Sequence, residues 1–183
     1  MNEKEFRAVQ YTGNAFCERL LENAVLLNCT QYVDISSGFD LSSAENKYDD
    51  LQIFKPDALT LIPSLTQNGF EKGSITFGNL LGVSPCLKKE EFAELISNIS
   101  MLWSIGSCIV FDFYTSESFC ENGCAYSYEE TEKLLSRYGF LIYEHIDHND
   151  IDDQYLYRYN IKHIRKPLKA PLGFNLCLAV KRR

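Results

Sequence analysis

Residues 14–38 read NAFCERLLENAVLLNCTQYVDISSG, and this stretch decides the fold. Its first half repeats apolar residues at helical spacing, which predicts a helix with Asn14 as its N-cap. The run QYVDI at 31–35 predicts a short apolar strand, and the small residues at 36–38 predict a turn that closes it. The stretch therefore predicts a helix, a strand and a glycine turn in succession.

Strand and helix candidates alternate along the rest of the chain. Two marked helices are predicted, one from Lys88 to Leu102 and one after Ser127, and an acidic helix is predicted around 148–155. Together with the strand at 31–35, apolar runs predict seven strands, the others being 51–54, 59–62, 74–81, 107–113, 140–146 and 174–180. This alternation predicts an α/β fold with a mainly parallel, doubly wound sheet, in which ligands bind outside the carboxyl ends of the strands.

Length and charge restrict the class of protein. The 183 residues suit a single domain spanning 1–183, and the balance of 45% apolar and 23% charged residues is that of an ordinary globular protein. A net charge of -7 argues against nucleic acid as a partner, because phosphate binding needs a surplus of Lys and Arg. We interpret the late basic residues as solvated surface charges: Lys162, Arg165, Lys166, Lys169, Lys181, Arg182 and Arg183.

Neither a membrane protein nor a metal protein is indicated. The first ten residues lack an apolar leader and no run of about 18 apolar residues occurs, so we expect a cytoplasmic protein without membrane contact. Cys120 and Cys124 have zinc-like spacing, but no second pair follows, and we predict no metal site. Five cysteines in apolar runs are predicted to be buried thiols, namely Cys17, Cys29, Cys86, Cys108 and Cys177.

Three stretches, read in order, carry a family resemblance: residues 15–40, 49–57 and 74–113. They resemble bacterial class I S-adenosylmethionine-dependent methyltransferases of the leucine-carboxyl-methyltransferase-like group, and residues 126–160 with 174–182 look like that group's C-terminal part. The resemblance implies the Rossmann-like methyltransferase sheet with an antiparallel last strand. It also implies S-adenosylmethionine as cofactor and methyl transfer to an oxygen, a carboxylate in particular, of an unknown substrate, with the catalytic residue unknown.

The resemblance carries a cofactor site onto particular positions. The glycine turn after the first strand corresponds to Ser36, Ser37 and Gly38, where a serine replaces the first glycine. The acid that accepts hydrogen bonds from ribose hydroxyls corresponds to Asp57. The adenine contacts fall on the end of the strand candidate at 59–62. The cofactor-binding residues implied are Ser36, Ser37, Gly38, Asp40, Asp57, Ser64, Leu65 and Leu81.

Several departures from the family pattern leave an alternative open. The family's arginine corresponds to Gly13 in this chain, and its two acidic residues correspond to Lys55 and Ser64. Losing charged contacts weakens the binding of the cofactor. The alternative is therefore a shortened, degenerate relative that acts as a non-catalytic binding or interaction module.

The spacing of two strand candidates predicts an incomplete layer of helices. Only residues 55–58 separate the strands at 51–54 and 59–62, too few for a parallel crossover, so either they form a hairpin or one is not a strand. Helices would then be missing on one side of the sheet. We expect the N-terminal segment or a second copy, in a homodimer, to cover the exposed face.

Overall fold

The computed structural model describes residues 1–39, 47–116 and 125–183. The strands are β1 (Gln31–Asp34), β2 (Gln52–Phe54), β3 (Thr76–Leu80), β4 (Cys108–Tyr114), β5 (Phe140–Ile146) and β6 (Phe174–Lys181). The α-helices are α1 (Glu3–Leu26), α2 (Leu61–Gln67), α3 (Lys89–Leu102), α4 (Tyr128–Arg137), α5 (His148–Ile151) and α6 (Tyr157–Lys162). A π-helical stretch at Asp152–Leu156 joins α5 to α6, and short 3₁₀ turns lie at Ala58–Thr60 and Ser84–Cys86.

The described strands form one sheet in the order β2-β1-β3-β4-β6-β5. The first four of these strands are parallel, and β6 runs antiparallel to both β4 and β5. The predicted α/β fold, a mainly parallel sheet with an antiparallel C-terminal strand, is confirmed. The chain leaves β1 for β2 on one side and then returns to β3 on the other, so the strand order reverses between β1 and β3. Ligand crevices of doubly wound sheets open at the carboxyl ends of the strands at such a point.

Helices cover both faces of the sheet. On one face α1 packs with the helical run 148–162, and on the other α2, α3 and α4 pack together. Successive residues of β1 alternate between the two cores, since Tyr32 belongs to the first and Val33 to the second. This alternation is the period-2 pattern of a strand buried on both sides.

The N-cap of the first helix lies twelve residues before the predicted one. Asn2 caps α1, its side chain accepting a hydrogen bond from the amide of Glu5 while the Glu5 carboxylate accepts one from the amide of Asn2. Asn14 lies in the middle of the helix, so its predicted role as N-cap was wrong. The capping box at Asn2 starts the helix, and Gly13 is tolerated inside it.

The strand predicted at 59–62 was also wrong. That segment forms the 3₁₀ turn and the start of α2, whose buried Leu61 and Leu65 stand four residues apart and face the core beside Val33 and Phe54. The described residues therefore form six strands rather than seven. The crossover from β2 to β3 is a helix of 7 residues, which covers this end of the sheet. A helix therefore lies where the spacing predicted that helices would be missing, and the homodimer expected to cover that side remains a prediction.

Lys181 and Cys86 depart from their predicted surroundings. Lys181 is buried rather than solvated, and its ammonium donates hydrogen bonds to the hydroxyl of Ser100, at 2.7 Å, and to the carbonyl of the same residue. Burial lowers the pKa of Lys181. Cys86 is only partly buried, whereas Cys17, Cys29, Cys108 and Cys177 are buried as predicted.

Within the three described ranges, no helix combines the length and the apolar character that crossing a membrane requires.

Gly78 in β3 gives a stability prediction. A Cβ there would lie 2.0 Å from Cη2 of Trp103, whose ring is buried against the sheet. We expect Gly78→Ala to lower the free energy of unfolding by about 1–3 kcal/mol, because overpacking forces a buried ring to move. Urea denaturation would measure this. Gly73→Ala is the matched control, since nothing lies within 4 Å of the added carbon. Equal effects of the two substitutions would contradict the steric explanation.

Candidate functional site

A cleft opens at the carboxyl ends of β1, β2 and β3, where the strand order reverses. Its volume is about 540 Å³, within the range of pockets that hold small molecules and cofactors. It is lined by Asp34, Ile35, Ser36, Ser37, Phe39, Lys55, Pro56, Asp57, Ala58, Gly82, Val83, Cys86 and Leu87. The location and size make this cleft the leading candidate for a binding site.

Hydrogen bonds hold the turn after β1 on three sides. The Asp34 carboxylate accepts from the amide of Ser36 at 3.0 Å and from the side chain of Asn79 at 3.2 Å. The amide of Ser37 donates to the carbonyl of Leu81 at 2.8 Å. Gly38, at φ 79°, has its carbonyl bonded to Gln10 of α1 at 2.8 Å. The turn is thus fixed to β3 and to α1 before any ligand arrives.

The Phe39 ring lies between two glycines. A Cβ on Gly13 of α1 would lie 2.4 Å from Cε1 of Phe39, and a Cβ on Gly82 would lie 3.1 Å from Cε2 of the same ring. The ring therefore occupies the space in which a side chain at Gly13 would begin. This packing explains why the arginine expected from the family resemblance is absent there. A glycine inside a helix, at a position where no turn requires it, is the sequence signal for such a close approach.

The charged side chains of the cleft carry a net negative charge. Asp34 and Asp57 supply two carboxylates, and Lys55 supplies one ammonium. The cleft also has apolar lining, from Ile35, Val83 and Leu87. Such a cleft suits a ligand with an apolar ring and a localised positive charge.

The structure brings some of the predicted site residues together and separates others. Ser36, Ser37 and Asp57 line the cleft, and Gly38 forms the turn beside it. Asp40 lies outside the described residues. Their roles as cofactor ligands remain predictions.

Ser64 and Leu65 do not end a strand. They lie on α2, where Leu65 is fully buried in the core and Ser64 borders a separate surface pocket with Gln52 and Asn68. Their predicted position at a strand end was wrong, because the strand at 59–62 is a helix. Leu81 is also fully buried, and only its backbone carbonyl reaches the turn, through Ser37. Sequence reasoning missed the cleft residues Asp34, Phe39, Cys86 and Leu87.

A second cavity, which we call the inner cavity, adjoins the cleft. It has a volume of about 250 Å³ and shares four lining residues with the cleft, namely Ser37, Phe39, Gly82 and Cys86. The rest of its lining comes from Met1, Phe6, Val9, Gln10, Gly38, Pro85, Asp112 and Tyr114. The first helix therefore closes one side of the inner cavity, and β4 forms its floor.

Asp112 of β4 is a buried carboxyl in the inner cavity. Its side-chain Oδ1 accepts a hydrogen bond from the amide of Gly82 at 2.6 Å, and its backbone carbonyl accepts one from the hydroxyl of Ser84. Only 1% of its surface is exposed, and this burial raises its pKa to about 7. The sequence signal for this group is a lone aspartate inside the buried apolar run SCIVFDF.

In the described part of the chain, no three His, Cys, Asp or Glu side chains come together in a way that could hold a metal ion. Cys120 and Cys124 lie outside the described residues.

Comparisons with known proteins agree with the fold. No family model matches the chain. It is similar to YktD of Bacillus subtilis, a candidate S-adenosyl-L-methionine-dependent methyltransferase, with 29% identity over an alignment of 192 positions. That alignment covers 76% of this chain, which spans only 63% of the relative's length.

Two solved structures show the same arrangement at low sequence identity. One is phosphoethanolamine N-methyltransferase 2 of Haemonchus contortus in complex with S-adenosyl-L-methionine, with TM-score 0.54 and 15% identity over 85% of this chain and 49% of that one. The other is a DUF574 family protein of Streptomyces avermitilis, with TM-score 0.63 and 12% identity over 96% of this chain and 83% of that one. With the sheet order above, these likenesses show that the chain has the class I methyltransferase fold.

Proposed function

We propose that the chain binds S-adenosylmethionine in the cleft at the carboxyl ends of β1, β2 and β3 and is a methyltransferase that uses it. The observation that carries the proposal is the position of this cleft at the reversal of strand order, with Asp57 just beyond β2 and the fixed turn 36–38 beyond β1. The similarity to YktD and to a structure holding S-adenosylmethionine supports the choice of cofactor.

The residues of the cleft fit this cofactor. Asp57 would accept hydrogen bonds from ribose hydroxyls, and the backbone of 36–38 would face the methionine part. Ile35, Val83 and Leu87 offer apolar surface for a base, and the net negative lining matches a cationic sulfonium. The cofactor supplies an electrophilic methyl group when bound. The chain's own task is to align the reactants and to exclude water, so a strong base is not required in the cleft.

A second candidate is the degenerate module without catalysis. The observation that favours it is the Phe39 ring in the space beside Gly13, which leaves no room for an arginine that could pair with the cofactor's carboxylate. Lys55 lies in the cleft where the family resemblance places an acid, and this replacement also favours the module without catalysis. The carboxylate acceptor and the leucine-carboxyl-methyltransferase-like group rest on the sequence resemblance alone, and the proposal is limited to a methyltransferase that uses S-adenosylmethionine.

Isothermal titration with S-adenosylmethionine and S-adenosylhomocysteine tests the cofactor. We expect dissociation constants in the micromolar range, about -8 kcal/mol of binding free energy. Asp57→Ala should weaken binding by about tenfold or more, because a hydrogen bond to a charged group contributes about 1.5–3 kcal/mol. Ser64→Ala is the control, since Ser64 lies on α2 outside the cleft, and it should leave both constants unchanged.

Two results would overturn this proposal. Absence of heat at about 1 mM ligand, a binding free energy weaker than about -4 kcal/mol, would favour the degenerate module. Loss of affinity in Ser64→Ala but not in Asp57→Ala would move the site to the surface pocket beside α2.

A further inference from the structure

The inner cavity lies where a methyl acceptor has to lie if the cleft holds the cofactor. It shares Ser37, Phe39, Gly82 and Cys86 with the cleft, so a molecule in one cavity borders a molecule in the other. Methyl transfer is an in-line displacement that requires the acceptor atom next to the methyl group. The inference that follows rests on the proposed function.

The walls of the inner cavity are largely apolar. Phe6 and Val9 of α1 stand on one side, and Pro85 and Tyr114 on the others. Among the described residues that line it, Asp112 is the one charged side chain. A ligand that fills this space must therefore present an apolar body and place a polar group near a single carboxyl.

The carboxyl of Asp112 is held in place by hydrogen bonds from the backbone around it. Its Oδ1 accepts a hydrogen bond from the amide of Gly82, and the hydroxyl of Ser84 donates one to the backbone carbonyl of Asp112. Among the described residues, the hydrogen bonds to this carboxyl come from backbone amides, that of Gly82 and that of Asp112 itself. Because Asp112 also lines the cavity, a ligand donor can add a charge-assisted hydrogen bond to this carboxyl.

We propose that the inner cavity is the acceptor subsite and takes a small apolar molecule whose amine or hydroxyl group donates a hydrogen bond to Asp112. A carboxylate acceptor fits poorly, because it would place a second negative charge beside a buried carboxyl, and none of the described side chains that line the cavity is cationic. The subsite thus selects acceptors with an N–H or O–H group over the carboxylate that the family resemblance implies.

The chemical step balances with Asp112 as proton acceptor. The acceptor's nitrogen or oxygen forms a bond to the methyl carbon as the methyl–sulfur bond breaks, and the bonding pair stays on sulfur. The proton of the N–H or O–H group passes to the Asp112 carboxylate. Because burial raises the pKa of Asp112 to about 7, a substantial fraction is ionised near neutral pH and can take that proton.

Binding of matched probes to the protein saturated with S-adenosylhomocysteine tests the subsite without any activity assay. Benzylamine, benzyl alcohol and benzoate share an apolar ring and differ in the polar group. At about pH 8, above the pKa of Asp112, we expect the amine and the alcohol to bind at least about tenfold more tightly than benzoate. Isothermal titration would give the three constants.

Asp112→Asn is the matched variant. Its Oδ1 can still accept from Gly82, whereas its amide nitrogen replaces the oxygen that would meet the ligand. The amine should bind about tenfold more weakly to the variant, and the preference over benzoate should disappear. The constant for S-adenosylhomocysteine should not change, because Asp112 does not line the cleft.

The outcomes separate the two proposals. Failure of wild-type protein to bind S-adenosylhomocysteine refutes the proposed function. If S-adenosylhomocysteine binds normally, any of three results refutes the subsite alone. The probes do not bind at about 10 mM, benzoate binds best, or Asp112→Asn leaves the three dissociation constants unchanged.

Discussion

Replacing Gly82 with alanine should destabilise the protein by about 2–5 kcal/mol and weaken S-adenosylhomocysteine binding by about tenfold or more. Two effects combine at this position. Gly82 has φ 75°, a left-handed conformation that costs an alanine about 1–2 kcal/mol. The added Cβ would also lie 2.2 Å from the carbonyl oxygen of Ser37, a backbone atom that cannot rotate away.

The second effect reaches the site. The turn that carries the Ser37 carbonyl is bonded through its amide to Leu81, and Gly82 itself donates to Asp112. A shift of that turn changes the wall shared by the cleft and the inner cavity. Binding should therefore fall along with stability, and calorimetric titration beside urea denaturation would follow both.

Gly38→Ala separates conformational strain from the collision. Gly38 has φ 79°, close to that of Gly82, but nothing lies within 4 Å of a Cβ built on it. It should show only the smaller cost of the left-handed conformation, about 1–2 kcal/mol. If Gly82→Ala and Gly38→Ala lose the same stability, the contact with Ser37 is not what requires glycine at position 82.

The fold was largely predictable because it depends on patterns that are local in the sequence. The buried strands β4 and β6 and the helix α3 are continuous or periodic apolar runs, which specify an element whatever lies around it. The segment 59–62 failed because a four-residue apolar run suits a strand and a buried helix turn equally well. The gap of only four residues after β2 was the clue that favoured the helix.

The candidate site was less predictable because it depends on contacts between distant residues. The sequence located the turn at 36–38 and Asp57, which directly follow strands. It could not place Phe39 against Gly13, 26 positions earlier in the chain, or Asp112 against Gly82, 30 positions earlier. A buried carboxyl among apolar neighbours becomes recognisable as part of a cavity only when the helix that closes that cavity is in place.

Asp112→Asn should remove a pH dependence of stability that the wild type shows between about pH 4 and pH 7. Burial raises the pKa of Asp112 to about 7 in the folded chain, while an unfolded aspartate titrates near 3.9. Between these values the folded state holds a proton that the unfolded state has lost. The free energy of unfolding therefore falls as pH rises through this window, by an amount on the order of 4 kcal/mol, and levels off above the folded pKa.

The variant should lack this fall, because asparagine does not titrate and keeps an oxygen for the amide of Gly82. Urea denaturation of both proteins at about pH 4.5, 5.5, 6.5 and 7.5 would give the difference as a function of pH. We expect wild type to lose stability relative to Asp112→Asn at each step. The Cys177 thiol on β6 does not interfere, since burial and the nearby Asp112 raise its pKa far above this window.

Asp147→Asn provides the control. Hydrogen bonds from backbone amides at the start of α5, that of Asp150 foremost, lower the pKa of Asp147 in the folded chain below its ordinary value, so the folded and unfolded states both hold it ionised at neutral pH. The free energy of unfolding of Asp147→Asn should differ from that of wild type by a constant amount from about pH 5 upward. Parallel curves for wild type and Asp112→Asn would show that Asp112 stays ionised in the folded chain. The inner cavity would then hold a fixed negative charge, solvated well enough to exist without a ligand, and its preference for a hydrogen-bond donor would have to come from that charge alone.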